Sequence, residues 1–114
     1  MTDEKLPVGR EMVILEQLMA AGGKPKFGLE IVRDAPKGTL HRNSIYVLLT
    51  RMVARGLLAS RLETDEEQPR PGPRRRLYWC TDYGAQQYRV RRAADAAAEA
   101  ERQLSGVPKP QGAM

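Results

Sequence analysis

The sequence predicts a mostly α, α+β domain in which three short helices precede a two-stranded β-hairpin and one long helix follows it. Apolar residues recur at helical spacing three times before residue 56. Two stretches rich in β-forming residues then flank a polar loop at residues 64–74. A stretch rich in alanine and other helix formers follows at residues 82–104. With 114 residues, the chain is long enough for a single domain with one appended element.

The first two helices are short. Apolar residues at helical spacing predict the first helix over residues 10–21, and Gly22 ends it. The second helix is predicted over residues 27–34, where Ile31 faces inward, and it ends before Pro36. Lys24 and Pro25 are predicted to connect the two helices.

The third helix has the clearest pattern. Its apolar residues follow the i, i+3, i+4, i+7, i+8 spacing of a single buried stripe. Gly56 stands where a glycine in the left-handed conformation commonly ends a helix. The stripe consists of Ile45, Leu48, Leu49, Met52 and Val53.

A β-hairpin is predicted after the third helix. Residues 57–63 alternate loosely between apolar and polar side chains, as a half-buried strand does. Residues 64–74 contain three prolines, one glycine and mostly charged or polar side chains, so they are predicted to form a loop. Residues 75–80 are rich in β-forming residues and are predicted to form the returning strand.

The fourth helix is predicted over residues 82–104. Thr81 is a favourable N-cap, and Asp82 lies in the first turn, where the helix dipole favours a carboxylate. Residues 1–9 and 105–114 contain proline and glycine and are predicted to be flexible ends.

Three helices followed by a β-hairpin form a winged helix-turn-helix, which is predicted here over residues 10–81. The second and third helices form the helix-turn-helix, and the hairpin is the wing. In this fold the third helix, the recognition helix, enters the major groove of DNA. The order of elements therefore predicts double-stranded DNA as the partner, with residues 82–104 as a dimerisation helix.

The side of the third helix opposite the apolar stripe is polar and cationic. Arginine can form two hydrogen bonds with guanine, and asparagine can do the same with adenine. Hydroxyl groups are suited to phosphate oxygens, and His41 lies at the start of the helix, near the expected phosphate. Tyr46 can alternatively be interpreted as a half-buried core residue. Arg42 and Arg51 can alternatively be interpreted as charged side chains that only contact solvent. The candidate DNA-binding residues of this helix are Arg42, Asn43, Ser44, Tyr46, Val47, Thr50 and Arg51, together with His41.

The wing carries a second group of candidate contacts. Arginine side chains in a loop beside the recognition helix can reach the DNA backbone or the minor groove. Side chains alternate between the two faces of a strand, so one of the three consecutive arginines at residues 74–76 must point away from the DNA. The sequence does not decide whether Arg76 contacts DNA. The acidic run at residues 65–67 is expected to be a solvent-facing edge. The candidate DNA-binding residues of the wing are Arg70, Arg74 and Arg75.

Charge is unevenly distributed along the chain. The net charge is +5, from 19 Lys and Arg against 14 Asp and Glu. Residues 35–63 hold five basic side chains and one acidic side chain, a net charge of +4, whereas residues 1–34 have a net charge of −1. A basic middle section favours a polyanionic partner such as the phosphate backbone of DNA.

Three segments carry motifs that occur together, in this order, in a known family. They are FGLEIV at residues 27–32, LHRNSIYVLLTRMVARGLL at residues 40–58 and RPGPRRRLYWCTDYG at residues 70–84. The first is an aromatic-Gly-x-x-Ile segment, the second a Leu-rich helix that starts with a small polar residue and a tyrosine, and the third a Gly- and Arg-rich wing before Thr-x-x-Gly. The chain thereby resembles the PadR family of winged helix-turn-helix transcriptional regulators over roughly residues 10–90.

The resemblance implies a dimeric transcriptional regulator, usually a repressor, whose C-terminal helices form the dimer interface. By position, Tyr46 matches the family's DNA-contacting tyrosine and Ser44 its small polar residue. The chain departs from the family at Asn43, where glycine is common, and at His41, where Ser or Thr often caps the helix. It has one C-terminal helix, as the shorter members of the family do.

The length of the fourth helix also predicts a homodimer. A helix of 23 residues is about 35 Å long, more than a small three-helix core can cover. Its small residues allow a second helix to approach closely, although packing on its own domain is the alternative. A twofold dimer would place two recognition helices about 34 Å apart, one turn of DNA, and predicts a roughly palindromic operator. The candidate dimerisation residues are Tyr88, Arg92, Ala96, Glu99, Ala100 and Leu104.

Several other classes of function fit the sequence less well. One His, one Cys and no Gly-rich phosphate loop argue against an enzyme, a metal site or a cofactor. No apolar run reaches the roughly 18 residues of a membrane span, so no membrane partner and a cytoplasmic location are expected. Cys80 is expected to be a packed strand residue, and Trp79 to pack within the fold or to line an interface or effector pocket.

Two alternatives to a sequence-specific regulator remain open. The first is a winged helix that docks other proteins, which would expose apolar residues on the third helix. The second is a protein that binds DNA without sequence preference. A small-molecule effector also remains open.

Overall fold

Seven elements of secondary structure are present in the computed structural model, which describes residues 5–68 and 71–104. The predicted flexible ends at residues 1–4 and 105–114 lie outside the described residues. The elements are α1 Arg10–Ala20, β1 Lys26–Phe27, α2 Gly28–Asp34, α3 Ile45–Ala54, β2 Leu58–Leu62, β3 Arg76–Cys80 and α4 Asp82–Leu104. The α+β class and the winged helix-turn-helix order predicted from the sequence are confirmed.

The sheet has three strands rather than the two predicted. β3 lies between β1 and β2, and both neighbours are antiparallel to it. The pairing of β2 with β3 ends at Leu62 opposite Arg76. The added strand is β1, in which Phe27 lies opposite Leu77. The sequence predicts Phe27 as the first residue of the second helix, but in the structure Phe27 belongs to β1 and α2 begins at Gly28. So short a segment becomes a strand only when a distant strand supplies its hydrogen bonds.

The core lies between the three short helices and the sheet. From the predicted stripe of α3, Ile45, Leu49 and Met52 are fully buried, whereas Leu48 and Val53 are half-buried at its edges. Burying a side chain of this size contributes about 1.5–3 kcal/mol, so the stripe determines which side of α3 faces outward. The buried apolar residues are Ile14, Leu15, Leu18, Ile31, Leu40, Ile45, Leu49, Met52, Leu57, Leu58, Leu77 and Tyr78.

α3 ends in the glycine turn that the sequence predicts. Gly56 has a φ of 80°, in the left-handed region that glycine adopts readily. The N–H of Gly56 donates to the carbonyl of Val53 (2.9 Å), and the N–H of Leu57 donates to that of Met52 (3.0 Å). These two bonds form a Schellman motif, which satisfies carbonyls at the end of α3 and leads the chain into β2.

The start of α4 lies against the same turn. The Thr81 hydroxyl accepts a hydrogen bond from the N–H of Gly84 (2.9 Å), so Thr81 is the N-cap that the sequence predicts. The same hydroxyl donates to the carbonyl of Gly56 (2.6 Å) and lies 3.1 Å from that of Leu57. A Cβ at Gly84 would lie 2.1 Å from the Leu57 carbonyl oxygen. Glycine at this position therefore allows α4 to contact the turn after α3.

The two halves of α4 have different surroundings. Gly84 and Gln87 are buried, and Tyr88 packs against the core. Every residue from 92 to 104 is exposed. The second half of the helix is therefore uncovered by the described part of the chain, as its predicted length implies.

Residues 5–9 differ from the flexible N-terminus that the sequence predicts. Pro7 is fully buried. The Arg55 guanidinium, at the end of α3, donates to the Lys5 carbonyl (2.9 Å) and to the Glu11 carboxylate (2.7 Å). This segment is attached to α1 and α3 because it carries a buried side chain and accepts a hydrogen bond from a distant arginine.

We predict that Gly84→Ala lowers the free energy of unfolding by about 2–3 kcal/mol, because the added methyl group must push α4 away from the Leu57 carbonyl. Helix propensity alone predicts the opposite sign, since alanine is the better helix former by about 1 kcal/mol. Urea titration followed by circular dichroism measures the difference. Gln86→Ala, at an exposed position of the same helix, is the control and should change stability by less than about 0.5 kcal/mol. A Gly84→Ala variant as stable as the wild type would show that the close contact is not required.

Candidate nucleic-acid interface

The outward side of α3 is uncovered by the rest of the described chain. Because Ile45, Leu49 and Met52 are fully buried, the side chains between them point away from the core. Val47 is 52% exposed and Tyr46 is 47% exposed. The predicted DNA-binding residues on this side and in the turn before it are exposed at His41, Arg42, Asn43, Tyr46, Val47, Thr50 and Arg51, and half-buried at Ser44.

Four of these candidates, His41 among them, precede α3 rather than lying on it. α3 begins at Ile45, and Arg42, Asn43 and Ser44 form the turn before it. The N–H of Ile45 donates to the His41 carbonyl (3.0 Å), so the turn already has helical bonding. A turn of this kind continues the helical periodicity, which is why the sequence placed these residues on the helix. The Ser44 side chain makes no capping hydrogen bond to the helix.

Tyr46 connects the two helices of the helix-turn-helix. Its ring lies directly over Gly28, the first residue of α2, where a Cβ would be 2.6 Å from Cε1 and 2.9 Å from the hydroxyl oxygen. Burial raises the pKa of the neighbouring Tyr78. The positive charge of Arg76 lowers this pKa, and the nearby Tyr46 raises it further. Part of the Tyr46 side chain thus packs between α2 and α3, and the rest is exposed on the outward side.

Arg42 and Arg51 are exposed. Neither has an ion-pair or hydrogen-bond partner among residues 5–68 and 71–104. Arg55, by contrast, pairs with Glu11 at 2.7 Å. An arginine without a carboxylate partner retains its hydrogen-bond donors for a phosphate or a guanine.

The wing loop pairs its arginines with its own carboxylates. The Arg61 guanidinium donates to both oxygens of Glu67, at 2.9 Å and 3.0 Å. The hydrogen bonds from Arg61 and from the Thr64 N–H lower the pKa of Glu67 to about 2. Arg74, a predicted DNA contact, pairs with Asp65. The acidic run is exposed, as the sequence predicts, and two of its carboxylates pair with arginines of the wing.

The guanidinium of Arg75 is engaged within the protein. It lies 3.6 Å from the centre of the Phe27 ring, and one of its nitrogens is 3.4 Å from the carboxylate of the buried Glu63. Its Nε is buried and has no hydrogen-bond partner among the residues that the structure describes. Arg75 is therefore directed toward the start of α2, unlike Arg74. Arg70, the third predicted contact of the wing, lies outside the described residues.

The sheet decides the side of Arg76, which the sequence leaves undecided. The Arg76 guanidinium donates to the Ser60 hydroxyl across the β2–β3 pair (3.1 Å). Arg76 lies on the same side of the domain as Thr50 of α3, since both line one concavity, and Arg75 points to the other face of the strand. Strand alternation predicts that the two neighbours diverge, but not which one faces α3. The concavity measures about 210 Å³ and is lined by Thr50, Val53, Ser60, Arg76 and Tyr78.

The predicted dimerisation residues have two kinds of surroundings. Tyr88 is half-buried against its own core, and the Arg92 guanidinium donates to its hydroxyl (2.9 Å). A different stripe is exposed along α4 and recurs every seven residues, at Tyr83, Val90, Ala97 and Leu104. Only Leu104 of this stripe was predicted, because the sequence does not show which side of α4 meets the core. The remaining predicted residues are exposed at Arg92, Ala96, Glu99, Ala100 and Leu104.

Cys80 and Trp79 are half-buried strand residues. Cys80 packs against the core, and burial raises the pKa of its thiol. Trp79 lies opposite Ala59 in the β2–β3 register. Among residues 5–68 and 71–104, no three His, Cys, Asp or Glu side chains are grouped so that they can hold a metal ion. No helix within these ranges has the length and apolar content of a membrane span.

Solved structures of similar fold come from several organisms. A PadR family transcription regulator from Clostridium difficile R20291 matches with a TM-score of 0.65 and 21% sequence identity, over 85% of this chain and 97% of that one. A PadR family transcriptional regulator from Eggerthella lenta DSM 2243 matches with a TM-score of 0.61 and 24% identity, over 86% of this chain and 82% of that one. A PadR-like transcriptional regulator from Bacillus cereus strain ATCC 14579 matches with a TM-score of 0.57 and 22% identity, over 84% and 90%. No protein-family model matches the chain, and no curated protein sequence matches it.

The matches extend over more than four-fifths of each chain. This chain has the PadR fold. The resemblance predicted from three sequence motifs is thus confirmed at the level of the fold. Within the PadR fold of this chain, α2 and α3 form the helix-turn-helix, and β2 and β3 form the wing.

We predict that Gly28→Ala destabilises the protein by about 1–3 kcal/mol, because the added Cβ would displace the Tyr46 ring. The same substitution in a Tyr46→Ala background should be neutral or stabilising, since the ring is gone and alanine is the better helix former by about 1 kcal/mol. Urea unfolding of the wild type, both single variants and the double variant gives the coupling free energy. Equal costs in the two backgrounds would mean that Gly28 is required for a reason other than Tyr46.

Proposed function

We propose that the chain is a sequence-specific DNA-binding regulator of transcription. It binds double-stranded DNA as a homodimer in the cytoplasm and represses transcription from a roughly palindromic operator. The outward side of α3 and the turn before it carry this proposal, because they are uncovered by the described chain and combine exposed cationic and polar side chains with the exposed Tyr46 and Val47. Arg42 and Arg51 on this side have no carboxylate partner among the described residues. The fold shared with the regulators named above supports the same function.

The side chains of this surface have the chemistry to read base edges. Arg42 and Arg51 can each form two hydrogen bonds with guanine, and Asn43 can do so with adenine. Val47, which is half exposed, offers a methyl contact for thymine. Each good bidentate contact discriminates against the wrong base by about 1–3 kcal/mol.

A second set of side chains is suited to the phosphate backbone. Hydroxyl and basic groups next to a recognition helix position the protein without reading sequence. Arg74 is included because its pair with Asp65 is exposed, and a phosphate can replace an exposed carboxylate partner at a cost of about 0–1 kcal/mol. Arg76 is added because it shares a concavity with Thr50. The proposed phosphate contacts are His41, Ser44, Tyr46, Thr50, Arg74 and Arg76.

We expect the protein to bind a duplex from the promoter of its own gene about 10³-fold or more tighter than a random duplex of equal length. Fluorescence anisotropy measures both affinities. Arg42→Gln and Arg51→Gln should each weaken promoter binding by about 1–3 kcal/mol, since each removes a base contact. Arg91→Gln is the control, because it removes the same charge from α4, where Arg91 pairs with Asp95 at 3.1 Å.

Each other outcome supports a different function. Equal affinity for every duplex would indicate DNA binding without sequence preference. Undiminished binding after both α3 substitutions would place the interface elsewhere on the domain. Failure to bind any duplex would exclude the regulator and favour the protein-docking module.

Repression has its own test, because a reporter behind the promoter should become more active when the gene is deleted.

The homodimer is inferred from the part of α4 that the domain leaves uncovered. Val90, Ala97 and Leu104 are exposed and lie seven residues apart. Tyr83, seven residues before Val90, is 37% exposed and also interacts with its own chain. The seam of a left-handed coiled coil consists of two rows of apolar or small residues, each with this spacing. The stripe can supply one of these rows. A second copy of α4 packed along the seam would remove Val90 and Leu104 from water. This stripe differs from the predicted set, of which Tyr88 already packs on its own domain.

We predict that Ala97→Glu dissociates the dimer, because it places a charge in the seam, whereas Ala96→Glu leaves it intact. The two positions are neighbours, both are exposed, and they lie about 100° apart around the helix. Sedimentation equilibrium gives the molecular mass of each variant. The opposite result would assign the interface to the side of Arg92 and Ala96 that the sequence favours. A wild-type protein that sediments as a monomer would exclude the homodimer.

A further inference from the structure

We propose that Phe27, Glu63 and Arg75 form a wing clamp that positions the arginine-bearing wing loop for DNA. Arg75 acts through this clamp and does not itself contact DNA. The role presupposes the DNA-binding function proposed above. The sequence predicts Arg75 as a DNA contact, whereas this proposal assigns it to the residues that position the DNA contacts.

The clamp begins at the base of the wing, beyond the last β2–β3 pair. There the N–H of Glu63 donates to the Arg75 carbonyl (2.8 Å). The N–H of Arg75 donates in return to the Glu63 carboxylate (2.9 Å), so a side chain continues the hydrogen bonding of the sheet. Glu63 is only 4% exposed, and a buried carboxylate requires a cation nearby. The Arg75 guanidinium is one such cation, at 3.4 Å.

The other side of the clamp is the Phe27 ring. The Arg75 guanidinium carbon lies 3.6 Å from its centre, which is a close cation–π contact. Phe27 belongs to β1 and directly precedes α2, where its N–H donates to the Glu30 carboxylate (3.2 Å). The next residue is Gly28, under the Tyr46 ring. A continuous series of contacts therefore joins the base of the wing to α2 and, through Tyr46, to the recognition helix.

Holding Arg75 also restricts Arg74, the residue before it and a proposed phosphate contact. The loop at residues 64–74 has no large apolar side chain to anchor it. Its internal ion pairs are exposed, and exposed pairs contribute little to order. The clamp connects the end of this loop to a buried carboxylate, Glu63. A loop that is positioned before binding loses less conformational freedom when DNA binds.

The salt dependence of DNA binding separates positioning from direct contact. Each phosphate contact contributes about 0.9 to the slope of log affinity against log salt concentration. Phe27→Leu removes the aromatic face and no charge, and should reduce the slope by about 0.9, because Arg74 is no longer held at its phosphate. Phe27→Tyr keeps the ring and should keep the wild-type slope. Glu63→Gln should act like Phe27→Leu, although it removes a negative charge.

Two further variants complete the titration series on promoter DNA. Arg74→Gln should reduce the slope by the same amount, and adding Phe27→Leu to it should cause no further reduction. Val13→Ala is the control for a purely structural effect, because it truncates a half-buried core residue of α1 and leaves the clamp intact. This variant should lower stability and leave the slope unchanged.

A wild-type slope in Phe27→Leu and Glu63→Gln, with a reduced slope in Arg75→Gln alone, would make Arg75 a DNA contact and overturn the clamp. Hydrogen exchange of the free protein tests the clamp without DNA. Exchange of the Arg75 amide should accelerate in Phe27→Leu and in Glu63→Gln, and unchanged exchange would overturn the clamp. A wild-type protein that binds no duplex would instead refute the proposed function, together with the role of the clamp in it.

Discussion

Burial of the apolar side of α3 is the constraint on which the other features of the domain depend. Ile45, Leu49 and Met52 have no exposed surface. Rotating the helix to hide Arg51 would expose these side chains at a cost of about 1.5–3 kcal/mol each. The polar side of α3 is therefore left in solvent by the same packing that forms the core. A surface of this kind needs no conformational change before a partner can reach it.

Close contacts at two glycines hold α3 in this orientation. Gly28 lets the Tyr46 ring lie against the start of α2, which sets the position of the two helices of the helix-turn-helix. Gly84 lets the start of α4 reach the turn at Leu57, where α3 ends. Neither position has space for a methyl group. Thr81 adds hydrogen bonds at the second contact, so α4, the proposed dimerisation helix, is joined directly to the turn at the end of α3.

The arginines of the domain have different roles because their carboxylate neighbours differ. Arg42 and Arg51 have no carboxylate partner within the described residues, and their charge is available to a polyanion. Arg55 and Arg75 hold segments of the chain together through Glu11 and Glu63. A net positive charge over residues 35–63 therefore overstates the charge that a DNA molecule would meet. The useful quantity is the number of cations that the protein does not itself neutralise.

Much of the architecture was determined by the sequence itself. Helical periodicity, the glycine turn at Gly56 and the N-cap at Thr81 depend on residues a few positions apart, so they can be read without the tertiary structure. The tertiary structure alone decided the strand at Phe27, because its hydrogen-bond partner is distant in the chain. It also decided which of Arg75 and Arg76 faces the recognition helix. Because side chains alternate along a strand, Arg75 and Arg76 must point to opposite faces of the sheet. Only the packing of the sheet against the helices decides which of these faces lies toward α3.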